Sequence, residues 1–217
     1  MIPSPDAVTV LTMMPVRGEA LERFFPVLRA DLAAGRAAGG NIAFDAYLPE
    51  GSAGCIHVFE RWRDRDAIDR HRASPHRAAL DARLGTDLSG APEPWWLKPV
   101  RGVPEPLAGG YEGGAASRNL VIRLEVQPGH RAEFIDRMAE AIVTSRADTG
   151  NLVYDLYEIE GQPEAFVLYE RWEGVEHHLM HLSRSHMAGA FPMLEKVLAK
   201  PIDGASRKML RDISLHA

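Results

Sequence analysis

Phe59-Glu60-Arg61-Trp62 and, much later, Tyr169-Glu170-Arg171-Trp172 are one four-residue phrase written twice, and the interval between them decides how the chain divides. The same offset of 110 residues carries Gly40-Asn41 onto Gly150-Asn151, Asp45 onto Asp155, Tyr47 onto Tyr157, His71 onto His181 and His76 onto His186, with no gap. Apolar positions obey it as well: Phe24, Leu28 and Leu32 fall on Phe134, Met138 and Ile142. A register this constant marks an internal repeat. Two copies argue for a duplicated domain, because a solenoid generally needs at least three units to bury its core. Residues 101–117 are rich in Gly and Pro without sustained periodicity and read as a linker between a first domain, 1–100, and a second, 118–217.

Each copy carries the same run of elements. Val8 to Met14 and Leu120 to Val126 are β-rich apolar runs closed by Pro or Gly. Helices are expected over Gly18 to Ala38 and Gly129 to Asp148, where apolar residues recur at four-residue spacing; Pro26 either kinks the first or falls in its opening turn. Asn41 to Leu48 alternates, with Ile42, Phe44, Ala46 and Leu48 on one side and Asn41, Asp45 and Tyr47 on the other. Third strands follow at Gly54 to Trp62 and Glu164 to Trp172, then single long helices over Asp64 to Leu84 and Gly174 to Leu198. Short last strands close the copies at Trp95 to Val100 and Ser206 to Ile213. The order β-α-β-β-α-β is the ferredoxin-like arrangement, an α+β fold with both helices on one sheet face. The bare face needs a partner, and the expectation is an intramolecular dimeric α/β barrel built from the two tandem domains.

Composition narrows the function. A formal charge of -5 with no Lys/Arg run offers no field for phosphate backbones, so nucleic acid is not an expected partner. The single cysteine, Cys55, allows no internal disulfide, and the N-terminus lacks a secretion-signal pattern; a cytoplasmic protein without a membrane span is expected. Phosphate loops, Cys pairs and the Gly-x-Ser-x-Gly elbow are all missing from the sequence.

The Glu-Arg-Trp strand end followed by His71 and His76, and again by His181 and His186, with Gly40-Asn41 and Gly150-Asn151 before it, resembles the antibiotic biosynthesis monooxygenase (ABM) superfamily in both copies. That resemblance implies paired ferredoxin-like domains and, in its oxygenase members, oxidation of quinols or anthrone-like phenols by molecular oxygen without metal, flavin or haem. An aromatic small molecule and oxygen would then be the partners, no cofactor would be needed, and a further homodimer is compatible. An electron-rich phenolate can itself reduce oxygen, so the protein need only take a proton and stabilise charge. The resemblance extends to small-molecule isomerases and to proteins of no known activity, so a non-catalytic small-molecule-binding or stress-associated barrel and a proton-transfer isomerase stand as the alternatives.

Among the candidate residues, Trp62 and Trp172 are either an aromatic wall for a flat substrate or core filler. Glu60 and Glu170 share their side of the strand and are expected to be partly buried, as bases or as members of a structural network. His71 and His181 are the better proton acceptors, because His76 and His186 lie five residues on, about 140° further round a continuous helix. On that spacing no metal site is expected. His177 and His178, replaced by Ala67 and Ile68 in the first copy, read as an exposed polar helix face. Asn41, Asn151, Tyr47 and Tyr157 are candidate substrate contacts on the polar strand face.

Overall fold

A computed structural model describes residues 6–51, 54–107 and 116–214. The first copy runs β1 (Val8–Pro15), a 3-10 turn (Gly18–Ala20), α1 (Leu21–Ala37), β2 (Asn41–Pro49), β3 (Cys55–Trp62), α2 (Arg65–Arg72), α3 (Pro75–Asp87) and β4 (Glu93–Pro99). The second runs β5 (Arg118–Glu125), α4 (Arg131–Arg146), β6 (Asn151–Ile159), β7 (Ala165–Trp172), α5 (Val175–Leu182), α6 (Ser185–Val197) and β8 (Arg207–Asp212). The 110-residue register therefore holds for every element up to the last strands.

Both copies pair their strands identically. β3 lies antiparallel between β1 and β2, with Glu60 opposite Val10 on one side and Phe44 on the other. β7 lies between β5 and β6, with Glu170 opposite Leu120 and Tyr154. The last strands are shared out unexpectedly. One compact unit contains residues 6–96 with 211–214; the other contains 97–107 with 116–210. Within the second unit Leu97–Pro99 pair with β6, and the start of β8 pairs with β5. Within the first, Ile213 donates its N–H to the Ala46 carbonyl. The hydrogen-bonded order is β1-β3-β2 in the first unit and β8-β5-β7-β6-β4 in the second.

The period-2 alternation places Val10, Met14, Phe44, Ala46, Leu48, Ile56, Val58 and Trp62 against Phe24, Leu28, Leu32, Ile68 and Leu80 of the helices. The second unit repeats this with Leu120, Ile122, Tyr154, Leu168 and Trp172 against Phe134, Met138 and Ile142. Leu11, Tyr47, Phe59 and Arg61 occupy the other sheet face and are also buried.

The single long helix expected after the third strand is two helices in each copy. In the first, Pro75 cannot donate an N–H and opens α3 at its N-terminus, while Ser74 accepts from the Arg77 N–H as a cap; Asp64 caps α2 likewise through Ala67. The second copy breaks at the same place without proline. Pro26 sits inside α1 beyond its opening turn. Gly150 has φ +77°, and a Cβ there would lie 2.2 Å from Cγ of His177, so the recurrent Gly-Asn exists because the chain turns tightly against α5.

Candidate active site

Between the helix-facing side of β5, β6 and β7 and helices α4, α5 and α6 the second unit holds a cavity of about 530 Å³. Its walls include Leu120, Ile122, Met138, Leu168, Met187 and Met193; Tyr154, Glu170, His178, His181, His186 and Arg207 are among its polar residues, with Glu133, Arg137, Glu140, Thr144 and Lys196 also in the lining. This volume suits a small organic ligand. The corresponding space in the first unit, bounded by Phe44, Val58, Glu60 and Leu80, is about 20 Å³, the size of a single water. One register position explains much of the difference: Leu80, almost fully buried, stands where the second copy has Ala190 beside Gly189.

Glu170 and Trp172 are two residues apart on one strand, so both side chains project to the same face. The Trp172 indole N–H donates to Glu170 Oε2 at 3.0 Å. Burial withdraws solvent from the carboxylate and pushes its pKa up to about 7, against the partial relief given by Trp172 and by the Arg207 charge. Burial, with the Glu170 charge next, raises the Tyr154 phenol well above its ordinary value and keeps it neutral. His178 is driven down to about 4 by desolvation, then by the charges of Arg118, His181 and Arg207. His181 packs against Trp172 with ring centroids 4.5 Å apart, and its Nδ1 lies 2.8 Å from Asp148 Oδ2. Desolvation lowers its pKa as well, although Asp148 opposes the change.

Glu170 and His181 line the cavity, whereas Trp172, fully buried, stands behind them, bonded to the first and packed on the second. Glu60, Trp62 and His71 meet in the same way, with Trp62 Nε1 2.8 Å from Glu60 Oε2 and 4.9 Å between the Trp62 and His71 centroids, but around filled space. There His71 Nε2 faces the buried Asp31 at 3.5 Å. Asn41 and Asn151 donate to the carbonyls of Ala43 and Val153 at the strand bulges. Tyr47 and Tyr157 are buried on the opposite sheet face, where the Tyr157 hydroxyl donates to Asp155 Oδ2.

Two expectations are corrected. His178 is not part of an exposed face: it is 3% exposed and lines the cavity. Nor are His181 and His186 separated by a continuous helical turn. The break between α5 and α6 brings their centroids to 5.4 Å, and both reach Asp148. Asp148, Tyr154, His178 and Arg207 were missed as site residues, yet a signal existed. At the repeat offset the first copy has Ala38, Phe44 and Ile68 where the second has Asp148, Tyr154 and His178. Three apolar-to-polar exchanges cluster on the inward face of one copy.

The second unit thus combines a ferredoxin-like fold with a helix-backed cavity and a buried carboxyl whose pKa is raised by burial. The family model described as antibiotic biosynthesis monooxygenase matches residues 7–83 and 118–192, and the chain belongs to that family. It is 31% identical over 80 residues to YcnE of Bacillus subtilis (strain 168), covering 37% of this chain and 84% of that protein; the name of YcnE places it provisionally among monooxygenases. Rv0793 of Mycobacterium tuberculosis, named in the same provisional way, is 37% identical over 86 residues, covering 40% of this chain and 82% of its own. A solved structure from Fusobacterium nucleatum, with a similarly provisional title, covers 98% of this chain and 94% of its own with a TM-score of 0.87 at 14% identity. An anthrone oxidase-like protein covers 96% and 92% with a TM-score of 0.62 at 12% identity. At these identities the solved structures speak to the fold. Among the described residues no helix is long and apolar enough to cross a membrane.

Proposed function

We propose that the chain is a monooxygenase acting on a quinol- or anthrone-like aromatic molecule with molecular oxygen, and that the second copy holds the working pocket. The observation carrying this reading is Glu170: a buried carboxyl with a pKa of about 7, inside a cavity of about 530 Å³ with apolar and aromatic walls. A base for a weakly acidic phenol or benzylic carbon works best when its pKa lies near the operating pH.

In the proposed reaction Glu170 takes the proton from the substrate, leaving an enolate or phenolate among Tyr154, His178 and His181. That anion passes one electron to oxygen, and the resulting radical pair joins as a carbon–oxygen bond. The peroxide anion then recovers the proton from Glu170. Loss of water from the hydroperoxide, with the remaining C–H electron pair forming the new carbonyl, leaves a quinone. One oxygen atom enters the product and the other leaves as water. The neutral Tyr154 hydroxyl and the Arg207 charge stabilise the developing anion. Trp172, buried behind the lining, holds Glu170 by its indole N–H and His181 by ring contact rather than touching the substrate.

Oxygen uptake measured against a panel of anthrones and hydroquinones tests the proposal. Uptake is expected with at least one compound that binds, and Glu170→Gln is expected to abolish it while Glu60→Gln leaves it intact. Binding without uptake across the panel, or equal loss in both variants, would overturn it.

A further inference from the structure

We infer that the second copy carries a binding site for a divalent first-row transition-metal ion, formed by Asp148, His181 and His186 at the edge of the cavity. One ligand atom from each residue lies within 4.8 Å of the other two. Asp148 Oδ2 is 2.8 Å from His181 Nδ1 and 3.5 Å from His186 Nε2. Ligands bound at about 2.1 Å to such an ion lie about 3.0 Å apart in octahedral and about 3.4 Å apart in tetrahedral geometry, so the cluster needs adjustments of about 0.2–0.6 Å around Asp148 and closure of the third edge. Two imidazoles and a carboxylate favour zinc, iron, cobalt or nickel over calcium or magnesium, which prefer all-oxygen sites.

Two further observations point to a ligand. His186 Nε2 is buried and has no hydrogen-bond partner among the described residues, although it faces a carboxylate. The His181 ring is held from behind by Trp172, at 4.5 Å between centroids, and edge-on by Tyr154 at 5.7 Å, which fixes the direction of its nitrogen. Arg184 Nε stands 3.4 Å from the other oxygen, Asp148 Oδ1, and leaves Oδ2 to the histidines. The first copy lacks the set, since Ala38 replaces Asp148 and His71 turns Nε2 toward Asp31. Because His181 and His186 also line the cavity, an ion here would abut it. Its remaining positions would take an anionic oxygen of whatever the cavity holds. The inference does not depend on the oxygenase reading.

The full chain, stripped with a chelator, is titrated with Zn²⁺, and with Co²⁺ for its visible absorption, near neutral pH. One equivalent is expected to bind; Asp148→Ala and His186→Ala each weaken it by about tenfold or more, while His76→Ala, the first-copy counterpart, changes nothing. Anomalous diffraction from zinc-soaked crystals of the unaltered protein locates the ion even if a variant fails to fold. Absence of stoichiometric binding, an anomalous peak away from Asp148, or affinity indifferent to both substitutions overturns the inference. Glu170→Gln is expected to leave zinc affinity unchanged, which separates failure of this site from failure of the proposed base.

Discussion

Replacing Glu170 by Gln removes a titration while keeping the shape of the side chain and an acceptor for the Trp172 indole N–H. Burial lifts the carboxyl from its ordinary 4.5 to about 7, so the folded protein holds that proton more tightly than the unfolded chain. Between those two values the native state binds more protons, and stability falls as pH rises. The contribution is fully present below about 4.5 and fully lost above about 7. At about 1.4 kcal/mol per pH unit the loss is about 3 kcal/mol. The variant does not suffer it. Chemical denaturation of both proteins at a series of pH values, read as the difference between them, cancels every titration they share. The difference is expected to move in favour of Gln by about 3 kcal/mol between pH 4.5 and 8, with its midpoint in the window set by Glu170. Glu60→Gln serves as the reference for a similar strand position without the cavity. A difference curve flat to within about 0.5 kcal/mol would mean that the carboxyl titrates normally, and the case for a base near neutrality would fall with it.

The other consequences of the site are separable. Turnover in the unaltered protein should rise with pH as Glu170 ionises, with a midpoint near its pKa of about 7, and Trp172→Phe should move that midpoint upward because the indole hydrogen bond favours the ionised form; a pH–rate profile checks both. Ala190→Leu, which installs the first-copy residue, should fill the cavity and abolish substrate binding in calorimetry with little change in melting temperature, whereas Leu80→Ala should cost about 2–5 kcal/mol of stability. His178→Ile should reduce acid lability: a folded pKa depressed to about 4 gives stability that is lost as pH falls below about 6.5, and Ile68 shows that the register position accepts the apolar side chain. Gly150→Ala combines a strained φ of +77° with a Cβ 2.2 Å from His177 and should lower stability by about 1–3 kcal/mol in a thermal melt.

The constancy of one offset made the architecture readable, because insertions anywhere in a copy would have shifted every later match. Alternation in β2 and β6 likewise separated the two faces of the sheet, and the cavity of the second unit lies on the helix-facing one. The split of the second helix was harder to see. Ser74-Pro75 announces it in the first copy, but the second reads Arg184-Ser185 at the same place, where no residue type forbids a helix. That one boundary governs whether His181 and His186 diverge or converge, so a small error in element assignment reversed the geometric argument about them. The size of the pocket was also illegible from patterning, since Leu80 and Ala190 are both ordinary apolar helix residues. Volume, which hydrophobic periodicity does not encode, distinguishes them.

The two copies have kept the same Glu-Trp-His arrangement while diverging in what surrounds it, and the divergence has a direction. Around Glu60 the first copy places Phe44, Leu80 and Ile68, and its buried aspartate, Asp31, faces His71 within the core. Around Glu170 the second places Tyr154, Ala190 and His178, and its aspartate has moved to the end of α4, where Asp148 meets His181, His186 and Arg184. Opening a cavity of this size costs packing energy, and burying a carboxyl that resists ionisation costs more. In the first copy the motif is part of a filled core, stacked and hydrogen-bonded; in the second, Glu170 and His181 of the same motif line a cavity.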